Sequence, residues 1–129
     1  MQHSLFQIAL VVNDYDEAIA FYTQKLHFQL IEDTPLSPEK RWVVVSPPGE
    51  GGANLLLAKA KNEVQRAAVG NQTGGRVFLF MHTDDLDRDY QNLKANNVEI
   101  IREISEHEYG KVLVFSDLYG NWWDLIQPV

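Results

Sequence analysis

Asp117-Leu118-Tyr119-Gly120-Asn121-Trp122-Trp123-Asp124-Leu125-Ile126-Gln127 sets one carboxylate inside an otherwise apolar strand close to the C-terminus. Tyr119-Gly120-Asn121 is a turn signal, because Gly takes a positive φ freely and Asn tolerates one. Side chains alternate across a strand, so Trp122, Asp124 and Ile126 share one face while Trp123, Leu125 and Gln127 share the other. With the Trp123/Leu125 face packed on a helix, Asp124 looks into the opposite side beside Trp122. A carboxylate in that position needs a metal, a cation, a hydrogen-bond donor or a proton.

Upstream, the chain reads as the same order of elements twice. Leu5 to Val12 is a nearly all-apolar strand, with Gln7 on the face of the small residues Ala9 and Val11. Asn13 or Asp14 caps a helix from Tyr15 to about Lys25, and Asp14 with Glu17 resembles a capping box. His27 occupies a turn position before a Phe28–Ile31 strand, where a histidine tolerates a left-handed conformation better than most side chains. The prolines of Thr34–Pro38 predict a loop. Arg41–Ser46 and Asn54–Ala58 are strands, 61–68 is a short amphipathic helix, and Gly70–Gly75 is a flexible connector. Then Arg76–Thr83 is a strand, Asp84 or Asp85 caps a helix to about Ala95, and Val98–Ile104 and Lys111–Phe115 lead to the final strand. The junctions at Asp14 and Asp85 superpose at an offset of 71 residues, which makes the second half a diverged copy of the first. The expected class is α+β, one domain over 1–129 built from two βαβββ modules, about 1–60 and about 76–129, joined by a connector at about 61–75. Neither half buries its sheet alone, so a curved mixed sheet around a common cleft is expected.

Composition narrows the function classes. Hydrophobic residues at 45% and charged residues at 22% are ordinary globular values. The longest apolar runs, Ile8–Val12 and Val77–Met81, are far below the ~20 residues that span a bilayer, so no membrane association is expected. No basic region followed by an apolar stretch marks a secretory leader, and with no cysteine there is no disulfide framework or zinc-thiolate site. A cytoplasmic protein is the expectation. A net charge of −7 argues against nucleic acid as a partner.

Three stretches together make the chain resemble the glyoxalase, bleomycin-resistance and extradiol-dioxygenase superfamily, the vicinal oxygen chelate fold. They are Ile8–Asp14, Ala18–Tyr22 followed by Lys25–Phe28, and Asp117–Gln127. His27 departs from the glycine usual in that family. The resemblance covers essentially all 129 residues and implies a homodimer. The fold hosts isomerases, dioxygenases, thiol transferases, epimerases and metal-free drug-binding proteins, so it does not fix a reaction. The resemblance also implies four family metal-ligand positions, here Gln7, Leu56, Phe78 and Asp124. Leu56 and Phe78 carry no lone pair, and Gln7 with Asp124 fall short of the three or four protein ligands typical of a tight divalent site. No metal or other cofactor is therefore expected.

The aromatic residues favour a small-molecule cleft. Phe78, Phe80 and Trp122 share the interior expected for Gln7, Leu56 and Asp124, with Trp42 and Tyr109 as rim residues. Arg41 and Arg76 start strands; each is either a surface cation or, turned inward, a partner for Asp124 or an acidic ligand. His82 is either an exposed strand-end residue or a base at the cleft mouth. The leading expectation is a metal-independent small-molecule-binding protein of the bleomycin-resistance type. The alternatives are a lyase- or isomerase-type enzyme moving a proton with Asp124 or His82, and a metal-dependent dioxygenase or glyoxalase with a rearranged site.

Overall fold

The strand order follows from pairing apolar faces. In the computed structural model, which describes residues 1–129, two four-stranded mixed sheets form with the orders β1-β4-β3-β2 and β5-β8-β7-β6. The chain divides into two compact units, Met1–Val69 and Gly70–Val129, so that helix α2 (Glu63–Ala68) belongs to the first and the glycine-rich stretch to the second.

In the first unit, β1 (Gln7–Val12) lies parallel to β4 (Asn54–Lys59), which pairs antiparallel with β3 (Arg41–Ser46), and β3 pairs with the edge strand β2 (Gln29–Pro35). Leu10, Leu57 and Val43 stand in one row and are fully buried, on the face covered by helix α1 (Tyr15–Ala20). Each such aliphatic side chain contributes about 1.5–3 kcal/mol of burial. Asp14 caps α1 by accepting from the Glu17 amide at 2.8 Å. The helix expected to reach Lys25 widens to π-helical geometry over Phe21–Lys25, and the chain leaves it through His27 at φ 61°. The loop expected at Thr34–Pro38 begins later than the sequence suggests, because β2 continues to Pro35. An edge strand has no partner on its outer side, so a proline at its end breaks no ladder bond.

The second unit repeats the plan. β5 (Leu79–His82) is parallel to β8 (Trp122–Pro128), followed across the sheet by β7 (Gly110–Ser116) and β6 (Ile100–His107). Helix α3 (Leu86–Ala95) is capped by Asp85, the counterpart of Asp14, through the Arg88 amide at 3.0 Å. Trp123 and Leu125 are each 3% exposed on the α3 side, and Gln127 on that same face accepts from the Leu86 amide at the start of α3. Phe115 and Trp123 stack in register on it, 6.0 Å apart.

The two sheets also share an irregularity. In β2, Leu30 pairs with Val45 and Glu32 with Val44, leaving Ile31 extra. In β6, Ile100 pairs with Phe115 and Arg102 with Val114, leaving Ile101 extra. Such a bulge turns the next side chain to the opposite face from the one simple alternation gives it.

Candidate functional site

Register defines a row of side chains on the face of the second sheet opposite α3: Phe80, Asp124, Val114 and Arg102. Trp122 and Ile126 flank Asp124 on that face. Asp124 reaches it by the alternation of β8, as the sequence predicts. Arg102 reaches it only through the Ile101 bulge; without the extra residue it would point toward the face occupied by Phe115. The corresponding row in the first sheet is Ala9, Leu56, Val44 and Glu32. Leu56 is thus the counterpart of Asp124, and Glu32 of Arg102.

Asp124 Oδ1 is buried and has no hydrogen-bond partner. Burial pushes its carboxyl pKa above the usual range, and the positive charge of Arg102 offsets part of that rise. Arg102 places its guanidinium carbon 5.7 Å from the centre of the Trp122 ring, a cation–π contact. Phe80 is 67% exposed, an apolar ring at the other side of the carboxylate. A buried acceptor, a planar cation and two aromatic surfaces therefore sit on one sheet face.

The turn that delivers Trp122 is braced by side-chain hydrogen bonds. Asp117, 5% exposed, accepts from the amides of Tyr119 and Asn121 and from the Asn121 side chain, each at 2.9 Å. Gly70, at φ 75°, packs against this turn so closely that a Cβ there would lie 1.9 Å from the Tyr119 carbonyl oxygen. The glycine-rich stretch is thereby held against the β7–β8 turn, and the two enclose a pocket of about 120 Å³ lined by Gly70, Thr73, Gly75, Arg76, Asn121 and Trp122, with Gly120 at the turn.

The other expected site residues are placed by their own strands and turns, each within its own unit. Arg41 forks onto Asp33 at 3.0 and 2.7 Å and reaches Asp16 at 2.9 Å, which holds the Asp33 carboxyl below its ordinary pKa. It stacks over Tyr15, so it ties β2 and β3 to α1 and is no partner of Asp124. Tyr109 stacks on His107 at the β6–β7 turn, with ring centres 5.0 Å apart. His82 ends β5, exposed and opposite Ile126. Gln7 pairs with Asn54 at the start of its sheet, and half-buried Phe78 donates its amide to the Trp122 carbonyl at 2.8 Å. No three His, Cys, Asp or Glu side chains gather at one place, and the Asp124 row offers a single oxygen-bearing side chain beside a cation. Arg102 escaped the sequence reading. Its signal was the pair Leu30-Ile31-Glu32 and Ile100-Ile101-Arg102, two adjacent bulky apolar residues before a charge at an offset of 70.

Comparison with known proteins agrees with this architecture. An uncharacterized protein of Shewanella frigidimarina (strain NCIMB 400) is 57% identical over 128 residues, covering 98% of this chain and 95% of the relative. YetH, an uncharacterized protein of Bacillus subtilis (strain 168), is 30% identical over 117 residues, covering 88% of this chain and 89% of its own length. Among solved structures, UcmS2 superposes with a TM-score of 0.84 at 28% identity, covering 98% of both chains. TnmS3, an antibiotic binding protein from Streptomyces sp. CB03234, superposes with a TM-score of 0.79 at 27% identity, covering 100% of this chain and 98% of its own. The family model of the Glyoxalase/Bleomycin resistance protein/Dioxygenase superfamily matches residues 4–125, and the chain belongs to that superfamily.

Proposed function

We propose that this protein binds a flat aromatic small molecule on the Trp122 face of its second sheet, without a metal ion, through a ligand N–H or O–H donated to Asp124 Oδ1. The observation that carries the reading is the buried, unpartnered Oδ1 between Phe80 and Trp122. A buried acceptor left unsatisfied costs about 1–3 kcal/mol, which a ligand donor recovers. Trp122 and the flat guanidinium of Arg102 supply stacking surfaces for the ring. Likeness to an antibiotic binding protein at 27% identity supports the binding of a small organic molecule. The donor set supports metal independence, since a divalent ion beside Asp124 would gain one carboxylate and face Arg102.

Tryptophan fluorescence titrated with 9-aminoacridine, a planar ring with an amino donor, tests the proposal. Saturable quenching is expected, weakened about tenfold in Asp124→Asn and abolished in Trp122→Ala. Quenching that is unsaturable, or equal in all three proteins, would contradict it.

The raised pKa of Asp124 favours a second reading, general acid–base catalysis next to a carbonyl. Incorporation of solvent deuterium at the α-carbon of ketone and aldehyde substrates measures it, and exchange unaffected by Asp124→Asn would remove it.

A further inference from the structure

We infer that the pocket between the glycine-rich stretch and the β7–β8 turn is a carboxylate subsite, so that the ligand is an aryl carboxylate whose acid group meets Arg76 while its ring lies on Trp122. The inference rests on the aromatic-ligand reading and names the chemical class of that ligand. Size is the first argument. Sites that take a whole drug-sized molecule run to roughly 300–1,000 Å³, whereas this pocket measures about 120 Å³, which suits one substituent. Position is the second. Trp122 lines the pocket and also carries Arg102 on its ring, so a ligand lying on this indole has an edge at the pocket.

Charge is the third argument. Arg41, Arg88 and Lys111 are paired with aspartates, whereas the Arg76 guanidinium, like those of Arg66 and Arg102, takes part in none of the five ion pairs and is open to an anionic ligand. No acidic side chain lines the pocket; its lining is Arg76, Thr73, Asn121, Trp122 and glycines. What distinguishes Arg76 is its place: it is the one charged residue lining this recess. A guanidinium matches a carboxylate as a planar, two-pronged donor. Parts of the recess are also braced within the protein itself. Thr73 Oγ1 donates to the Arg76 carbonyl at 2.6 Å, the Asn121 side chain donates to Asp117, and Gly70 lies against Tyr119 where any Cβ would clash. Gly75, at φ 101°, leaves the wall open, with nothing within 4 Å of where its Cβ would stand.

The test compares 2-naphthoate with 2-naphthylmethanol, its neutral counterpart, by tryptophan fluorescence, together with acetate alone by amide NMR. Wild type should bind naphthoate about tenfold more tightly than the alcohol. Arg76→Gln should abolish that preference while leaving the affinity for the alcohol unchanged, and acetate should shift the Gly75 and Gly120 amides in wild type only. Equal affinity for both compounds in wild type, or a preference that survives Arg76→Gln, would overturn the subsite. If neither naphthalene binds but acetate shifts those amides in an Arg76-dependent way, the pocket stands as an anion site and the aromatic reading falls. If acetate shifts nothing and neither naphthalene binds, both fall.

Discussion

Asp124 carries a buried carboxylate oxygen with no hydrogen-bond partner, beside the cation of Arg102. Its pKa is raised from 3.8, mainly by burial. Between that value and the raised one the native state holds a proton that the unfolded chain has released, so this group makes stability fall as pH rises through the window. Asp124→Asn cannot titrate. Its stability relative to wild type, from urea denaturation at a series of pH values, should rise through this window and level off above it; a pH-independent difference would contradict the burial of the carboxyl. Arg102 acts in the opposite sense by favouring the charged carboxylate. In Arg102→Gln the Asp124 carboxyl should titrate at still higher pH, as read from its side-chain carbon chemical shift. An unchanged titration would mean that Arg102 does not sense Asp124.

At the scale of elements, the turn before β8 and the stretch packed against it build the site. Asp117→Ala removes three hydrogen bonds from a buried turn and should cost about 2–4 kcal/mol. Gly70→Ala should cost about 1–3 kcal/mol from its positive φ alone, and more if Tyr119 cannot yield. Both losses should appear as lower urea midpoints with unchanged slopes. Local chemistry made much of this legible beforehand. The caps at Asp14 and Asp85, the left-handed His27 and the two faces of β8 all follow from a few neighbouring residues. The bulges at Ile31 and Ile101 do not follow from either strand alone, because a bulge is a property of two paired strands; only the matching Leu30-Ile31-Glu32 and Ile100-Ile101-Arg102 of the two halves hint at them. Plain alternation in β6 instead leaves Arg102 on the Phe115 face, away from Asp124, so it points to Arg41 and Arg76 as the candidate cations. The length of β2 was hidden for a related reason: a proline reads as a breaker until its strand is known to be an edge.

For the molecule as a whole, one plan is used twice with different chemistry. The rows Ala9, Leu56, Val44, Glu32 and Phe80, Asp124, Val114, Arg102 share strand order, register and bulge, yet only the second joins a buried unpartnered carboxylate oxygen to an aromatic surface. On the proposed reading, duplication supplies the scaffold and the second copy carries the ligand. The oligomer implied by the family resemblance is a homodimer, and light scattering should then give twice the 14.8 kDa chain mass. The most direct test of the central proposal, an organic ligand held without a metal, is calorimetric titration of 9-aminoacridine into EDTA-treated protein, repeated after adding Ni²⁺, Zn²⁺, Mn²⁺ or Fe²⁺. The account predicts saturable binding in EDTA, unchanged by any of the four ions and weakened by Asp124→Asn. Binding that vanishes in EDTA and returns with one stoichiometric metal would contradict it.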